Sequence, residues 1–188
     1  MNKLNRALLL VFGILLLTFS FSFDAQVSSF FKDMSFWPLD LVLSIISNSG
    51  VVAIVMLAFP SLILYKKNKK LVCFLWLTSI TSFLLALIAK LAIQRQRPIG
   101  LLFYPFVGII DYSFPSHHSM VAFSLLPMLS RYLPKYRSFW IAFAILVAFT
   151  RVYFNFHFLS DVVFGALTGY FVGNFMLKLY KGEKLWGA

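Results

Sequence analysis

Charged residues are scarce in this chain, and acidic residues are the scarcest. Of its 188 residues only 12% are charged, with 6 acidic against 17 basic, whereas 61% are hydrophobic. A water-soluble domain typically has ~25% charged and ~45–50% apolar residues. The composition therefore excludes a soluble globular protein and indicates a protein embedded in a membrane.

The chain also has few features that would divide or cross-link it. Cys73 is the single cysteine, so no internal disulfide can form, and its apolar neighbours predict a core or lipid-facing position. We find no internal repeat, low-complexity tract or long flexible linker, and we expect residues 1–188 to form one membrane domain. The first apolar run lacks a clear small-residue cleavage site, so we expect a retained membrane anchor.

Six apolar segments approach the ~20 residues that a spanning helix needs. We therefore expect an all-α, polytopic membrane protein with six transmembrane helices in one bundle. The fourth and fifth segments are short, and they become long enough only if neighbouring motif residues extend them. The segments are Ala7–Phe23, Leu39–Tyr65, Leu71–Ile93, Ser119–Leu133, Phe139–Phe154 and Phe158–Leu179.

Two connections between these segments are unusual. Asp24–Trp37 mixes aromatic and charged residues, which predicts a short amphipathic helix lying at the membrane interface. Gln94–Pro115 is the longest connection and is rich in apolar residues, so we expect it to dip into the interface or to cover a site. Gly165, Gly169 and Gly173 recur every four residues in the last segment, which predicts close packing against another helix of the same chain.

The basic residues are distributed unevenly across the six-helix plan. Twelve of the 17 lie on the side of the amino terminus, opposed there by Glu183 alone. The positive-inside rule assigns that face to the cytoplasm, so both termini are expected there, in an inner membrane protein. Contact with anionic lipids explains the basicity better than nucleic acid, because no recognition motif is present. The other face carries five basic residues and five aspartates: Asp24, Asp33, Asp40, Asp111 and Asp161.

Three polar fragments are predicted to converge on this external face. They are Lys90 to Arg97, Pro115 to His118, and Arg151 to Asp161. Charged groups are costly in lipid, so such a cluster indicates function. Cations can hold a phosphate group, one histidine can attack it, and another can protonate a leaving oxygen, so the cluster favours phosphate ester hydrolysis.

The third fragment contains the candidate nucleophile. His157 and Asp161 are four residues apart and share a helical face if a helix begins there. Asp161 could accept the proton of one imidazole nitrogen and leave the other free to attack. A purely structural His–Asp contact is the simpler alternative, and a metal site is disfavoured because no third ligand has suitable spacing.

The other two fragments supply candidate phosphate ligands and an acid. Guanidinium and ammonium groups bind phosphate oxygens, which favours Lys90, Arg97 and Arg151. Arg95 is set apart and assigned to solvent or lipid headgroups. The fragment Pro115 to His118 predicts a helix start with proline in the first turn and backbone N–H groups that bind anions. Ser116 could add a hydroxyl donor there, and His118 could protonate the leaving oxygen.

These fragments resemble the signature of the type 2 phosphatidic acid phosphatase superfamily, with the motif core at residues 90–161. The first reads Lys90-LAIQRQ-Arg97-Pro98, and the third reads Thr150-Arg151-VYFNF-His157-FLS-Asp161. The resemblance implies a mechanism without metal or other cofactor. It also implies these roles: His157 forms a phosphohistidine, Asp161 orients it, His118 is the general acid, and Lys90, Arg97, Arg151, Ser116 and the backbone N–H of His117 hold the phosphate.

Two positions depart from the family pattern. Thr150 replaces serine and keeps a hydroxyl, whereas His117 replaces glycine and adds bulk beside the expected phosphate site. His117 could alter substrate shape or pH response, or share the role of acid, although the spacing favours His118.

The resemblance implies a phosphorylated lipid as substrate and leaves its identity open. Candidates are lipid A phosphate, undecaprenyl pyrophosphate, phosphatidylglycerol phosphate and phosphatidic acid, and a monomer would suffice for the reaction. The alternatives are a lipid-to-lipid phosphotransferase and a non-catalytic lipid binder of the same fold. A vanadate-dependent haloperoxidase has a related anion site but is soluble, so the membrane plan disfavours it.

Overall fold

The structure is a computed structural model that describes residues 3–100, 102–104 and 109–182. Within this part of the chain every long element is a helix, so the predicted helical class is confirmed at that level. Apolar side chains cover much of the outer surface, where Phe12, Leu62 and Trp37 are among the most exposed. Such a surface suits lipid rather than water.

The first helix is longer than the sequence analysis predicted. Helix α1 runs without interruption over Lys3–Lys32, so the separate amphipathic helix predicted at Asp24–Trp37 is wrong for most of that stretch. No glycine or proline interrupts residues 24–32. Asp24 is buried within the protein, and its carboxylate accepts hydrogen bonds from the backbone N–H and the hydroxyl of Ser160.

The second apolar segment forms a broken helix. It comprises α2 (Trp37–Ser47), α3 (Ser49–Ala53), a π-helical turn (Ile54–Ala58) and α4 (Phe59–Tyr65). The two parts on either side of Asn48 are inclined by 55°. The Asn48 side chain caps the second part by accepting hydrogen bonds from two backbone N–H groups. The π-turn ends two residues before Pro60, which cannot donate a backbone hydrogen bond.

Helix α5 leads directly to the predicted site. It spans Lys69–Ile93, with an Asn68 side-chain cap before its first residue and Gln94, which has a left-handed φ of 52°, as the cap after its last. A short antiparallel hairpin follows, with β1 at Leu102–Tyr104 paired to β2 at Ile109–Asp111. Residues 101 and 105–108 of the predicted apolar loop lie outside the described residues.

Three further helices complete the bundle, and their packing confirms the predicted role of the glycines. They are α6 (His117–Tyr132), α7 (Arg137–Tyr153) and α8 (Leu159–Lys181). A Cβ on Gly169 would lie 2.1 Å from the Met120 carbonyl oxygen, and one on Gly173 would lie 2.0 Å from that of Ser124. The glycine stripe therefore brings α8 against the backbone of α6 and holds the second and third motifs together.

The described helices include three that are long and apolar enough to cross a membrane, with a fourth if α2 to α4 form one broken span. The chain is therefore an integral membrane protein. Helices α6 and α7 have 16 and 17 residues. At ~1.5 Å per residue they are shorter than the ~30 Å hydrocarbon core, as the sequence had indicated.

Candidate active site

The cations of the first motif meet at one carboxylate. The Lys90 Nζ lies 2.8 Å from Oδ1 of Asp111, and the Arg97 Nη2 lies 2.6 Å from Oδ2. Arg97 also donates from Nε to the Asp111 carbonyl at 3.0 Å, and Lys90 donates to the Tyr112 carbonyl. Both cationic side chains are buried. Asp111, which the sequence analysis counted only as a balancing charge, is their common partner.

His157 lies in the connection between α7 and α8, and it is fully enclosed. Asn155 adopts a left-handed φ of 53° in this turn, and the His157 backbone N–H donates to the Arg151 carbonyl at 3.1 Å. The Nε2 atom of His157 lies 3.3 Å from Arg97 Nη1. The turn therefore places the candidate nucleophile beside a predicted phosphate ligand.

The predicted hydrogen bond between His157 and Asp161 is replaced by a bridge. Their Nδ1 and Oδ2 atoms are 3.7 Å apart, which is too long for a direct hydrogen bond. Ser113 lies between them: its hydroxyl donates to Asp161 Oδ2 and is 3.5 Å from His157 Nδ1. Ser113 was not among the predicted site residues, and it lies two residues before the second motif.

The second motif forms the start of α6 as predicted, with one difference. Ser116 is the N-cap and His117 is the first helical residue, so Pro115 lies just before the cap rather than in the first turn. The Ser116 backbone N–H donates to the Asp161 carbonyl at 3.1 Å, which joins this helix start to that of α8. The Ser116 hydroxyl accepts from the Ser119 hydroxyl at 3.1 Å.

The break between α2 and α3 contributes two hydroxyl groups that the sequence analysis missed. Arg151 Nη1 donates to the hydroxyl of Ser47 at 2.5 Å and to its carbonyl at 3.2 Å. Ser49 Oγ lies 2.8 Å from Nε2 of His118. The polar run from Ser47 to Gly50 inside an apolar segment was the available signal.

His117 lies at the edge of an apolar cavity. Its ring meets that of Phe83 edge-on, with 6.0 Å between centroids, and lies 4.1 Å from the His118 ring. The cavity has a volume of about 300 Å³ and is lined mainly by apolar side chains of α3, the π-turn, α5 and α6. The bulk that replaces glycine therefore borders an apolar space next to the candidate acid.

Arg95 is not directed to solvent or headgroups, and that prediction is wrong. Its guanidinium donates to Asp161 Oδ1 and to Asp24 Oδ2, at 2.7 Å each. It also lies over the Phe158 ring, 4.1 Å from the centroid. Two buried carboxylates attract this arginine inward, and neither had a recognisable spacing to it in the sequence.

The electrostatic environment favours a neutral His157 and an ionised Asp111. Burial lowers the pKa of His157 well below its ordinary value, and the positive charges of Arg97, Arg151 and Lys90 lower it further. Burial alone would raise the pKa of Asp111, but hydrogen bonding and charge from Lys90, with the charge of Arg97, bring it below its ordinary value. A neutral imidazole keeps the lone pair that a nucleophile needs.

Among the described residues no three His, Cys, Asp or Glu side chains are grouped so that they could hold a metal ion. The charges that face His157 Nε2 are cationic, and they match an anionic ligand. The site as placed combines a helix start, cations from three elements and two imidazoles around one small region.

Comparison with known proteins identifies the family. Residues 70–184 match the PAP2 superfamily, so the chain belongs to that superfamily and the resemblance drawn from the three motifs is confirmed. The chain is 39% identical over 103 residues to a lipid A 1-phosphatase of Rhizobium etli, an alignment that covers 51% of this chain and 44% of that protein. It is 34% identical over 113 residues to phosphatidylglycerophosphatase B of Bacillus subtilis, covering 54% and 52%. The chain thus spans about half the length of these relatives.

Solved structures share the fold over most of the chain. A transmembrane PAP2 type phosphatidylglycerolphosphate phosphatase from Bacillus subtilis superposes with a TM-score of 0.72 at 23% identity, covering 96% of this chain and 98% of that one. Aquifex aeolicus LpxE superposes with a TM-score of 0.66 at 25% identity, covering 82% and 94%.

Proposed function

We propose that the protein is an integral membrane lipid phosphatase that hydrolyses a phosphate monoester or pyrophosphate through a phosphohistidine at His157. One observation carries the proposal. The Nε2 atom of His157 lies 3.3 Å from the Arg97 guanidinium, whereas Nδ1 is turned toward Ser113 and Asp161. The free nitrogen of the ring therefore faces the cations that would hold a phosphate.

In the proposed reaction His157 Nε2 attacks phosphorus, and the bond from phosphorus to the lipid oxygen breaks. The leaving oxygen takes a proton from His118. Water then attacks phosphorus and gives a proton to His118, the bond from phosphorus to His157 Nε2 breaks, and inorganic phosphate is released. Lys90, Arg97 and Arg151, with Ser116 and the backbone N–H of His117, would bind the phosphoryl oxygens and stabilise their charge during transfer.

The apolar cavity beside His117 and His118 supports a lipid as substrate. Its wall includes Ile80 and Phe83, which are 50% and 48% exposed on the outer surface of the helices. A lipid chain could therefore reach the cavity from the bilayer while its phosphate enters the polar site. The names of the relatives point the same way, to lipid A phosphate and phosphatidylglycerol phosphate.

We extend the proposal to the topology of the chain. Residues 1–188 would form one membrane domain with six spans, in which α6 and α7 are completed by the polar residues that flank them. Both termini would face the cytoplasm, and the site would face the periplasm or exterior. The distribution of basic residues supports this orientation.

The proposal is tested with purified protein in detergent and a panel of four lipids: lipid A, undecaprenyl pyrophosphate, phosphatidylglycerol phosphate and phosphatidic acid. We expect release of inorganic phosphate from at least one, with chelator present, and no release by His157→Ala. Asp33→Asn, which changes an exposed residue, serves as the control. Equal release by His157→Ala would overturn the mechanism.

Two other outcomes would favour the alternatives. Binding of these lipids without release of phosphate would identify a non-catalytic lipid binder of the same fold. A phosphorylated acceptor lipid that forms in place of inorganic phosphate would identify a phosphotransferase. Thin-layer chromatography of the same reactions distinguishes the phosphorylated acceptor lipid from unreacted substrate.

A further inference from the structure

Arg95 joins two buried carboxylates that come from opposite ends of the chain. Asp24 lies on α1 and Asp161 lies in the first turn of α8, and each accepts a hydrogen bond of 2.7 Å from the Arg95 guanidinium. Both carboxylates are buried, and only 26% of the Arg95 side chain is exposed. We call Asp24, Arg95 and Asp161 the charge clamp.

The carboxylate oxygens of the clamp each have a defined partner. The two oxygens of Asp24 accept from the backbone N–H and the hydroxyl of Ser160, at 2.8 Å and 2.5 Å, so Asp24 is fixed to the start of α8. For Asp161, Oδ1 is held by Arg95, while Oδ2 accepts from Ser113 and from the Phe158 backbone N–H at 2.8 Å. Arg95 therefore helps to fix the plane of the Asp161 carboxylate, whose other oxygen is turned toward Ser113 and His157.

Arg95 binds different carboxylates from the predicted phosphate ligands of the first motif. Lys90 and Arg97 bind the carboxylate of Asp111, whereas Arg95 binds Asp161 and Asp24. Its guanidinium also lies over the Phe158 ring, which fixes its plane. Any effect of Arg95 on phosphate chemistry must therefore pass through Asp161 rather than through direct contact with the phosphate.

We propose that Asp24 and Arg95 are positioning residues that orient Asp161, and through Ser113 the ring of His157, for attack on phosphorus. The proposal rests on the proposed function of the same site. Asp24 lies outside the residues 70–184 that match the family, so α1 would supply part of the active site rather than only a membrane anchor. Each buried charge of the clamp has polar partners. Because unpaired charges in a membrane interior are costly, this complete pairing favours a specific arrangement of the site over a chance contact.

The clamp should affect the chemical step more than phosphate binding. As Nε2 bonds to phosphorus, the imidazole becomes positively charged, and a correctly placed Asp161 carboxylate stabilises that charge. Loss of the clamp would leave Oδ1 of Asp161 without its partner and loosen the carboxylate, and misplacement by about 1 Å can lower a rate by about 100-fold. The phosphate ligands would remain in place.

The test compares Asp24→Asn, Arg95→Gln and Arg95→Lys with the control Asp33→Asn, each as the full chain in detergent. Single turnovers quenched in alkaline detergent, in which the P–N bond survives, measure the formation of phosphohistidine, and competitive inhibition by inorganic phosphate reports on the phosphate ligands. We expect roughly 10- to 100-fold slower phosphohistidine formation in the first two variants, with the inhibition constant changed less than about twofold. The double variant Asp24→Asn/Arg95→Gln should form phosphohistidine no more slowly than the more impaired of the two single variants.

Arg95→Lys keeps the charge but cannot bridge two carboxylates with one planar fork, so we expect an intermediate rate. This variant also covers the case in which Arg95→Gln does not fold, as judged by gel filtration and thermal unfolding. Variants that match the control in rate would overturn the clamp, as would equal losses in rate and in affinity for inorganic phosphate, which indicate a structural role. If the unaltered protein forms no phosphohistidine and releases no phosphate, the proposed function fails, and the clamp with it.

Discussion

The carboxylate of Asp111 is bound by the guanidinium of Arg97, with 2.6 Å between Oδ2 and Nη2. Lys90 binds the other oxygen of the same carboxylate at 2.8 Å. These two cations are the predicted phosphate ligands of the first motif. An aspartate of the same chain therefore already pairs with both and offsets one of their two positive charges, and a phosphate ester must compete with it.

This competition predicts the effect of Asp111→Asn. The amide keeps the shape of the side chain but removes its negative charge, so Lys90 and Arg97 become more available to an anion. A hydrogen bond to a charged group contributes ~1.5–3 kcal/mol, and we expect the inhibition constant for inorganic phosphate to fall about tenfold. Inhibition of lipid phosphate hydrolysis measures it. Asp33→Asn is the control, and weaker inhibition in Asp111→Asn would show that Asp111 organises the cations instead.

The second prediction separates the roles of the two histidines on α6. If His118 protonates the leaving oxygen, His118→Ala should lower the hydrolysis of a lipid phosphate monoester by roughly 10²- to 10⁴-fold. The same variant should retain most of its activity on p-nitrophenyl phosphate, whose leaving group needs no proton. His157→Ala should lose activity on both substrates.

The matched variant for this comparison is His117→Gly, which restores the family residue at that position. It should not show the dependence on leaving group that His118→Ala shows. If instead His117→Gly shows that dependence and His118→Ala does not, the acid is His117. Steady-state rates on the two substrates decide between these outcomes.

The convergence of the three motifs could be predicted from the sequence, because the chemically important residues lie at fixed spacings near the ends of the helices. Lys90 and Arg97 flank the end of α5, and His157 precedes α8, so a bundle of antiparallel helices brings them to one end. The start of α5 follows a local signal, the Asn68 cap, and the glycine stripe of α8 indicates its close packing against another helix. The clustering of these residues could therefore be predicted from the sequence alone.

The residues that pair with the buried charges could not be predicted in the same way. Asp24, Asp111 and Arg95 reach their partners through tertiary contacts, and no periodicity relates residues 24, 95 and 161. The chain did contain a signal, because Asp111 is the only acidic residue between positions 41 and 160. A lone carboxylate near a basic motif in an apolar chain is a candidate partner for the cations of that motif.

The third prediction concerns the contact between α6 and α8. Gly169→Ala places a Cβ where the Met120 carbonyl oxygen lies 2.1 Å away, so the two helices must move apart. Overpacking of this kind costs typically ~1–3 kcal/mol, and we expect the midpoint of thermal unfolding to fall by about 2–4 °C per kcal/mol. Gly13→Ala, which meets only the flexible Leu167 side chain at 3.4 Å, is the control. Equal midpoints in the two variants would contradict the close packing.

The fourth prediction tests the orientation in the membrane. In a Cys73→Ala background, Asp33→Cys lies on the proposed exterior, and Lys135→Cys lies between α6 and α7 on the proposed cytoplasmic side. A membrane-impermeant maleimide added to intact spheroplasts should label Asp33→Cys and leave Lys135→Cys unlabelled until the cells are lysed. The reverse pattern would place the site in the cytoplasm.

The fifth prediction concerns the helix break at Asn48, which brings Ser49 to the site. Ser49 Oγ lies 2.8 Å from His118 Nε2 and can hold the ring of the proposed acid. A single hydrogen bond contributes about 0.5–1.5 kcal/mol, so Ser49→Ala should lower kcat on a lipid phosphate monoester roughly three- to tenfold. Because the hydroxyl acts through His118, the loss should nearly vanish on p-nitrophenyl phosphate. Ser44→Ala, which removes an exposed hydroxyl bonded within α2, should match the unaltered protein on both substrates. An equal loss on both substrates in Ser49→Ala would instead mean that the break supports the fold rather than the acid.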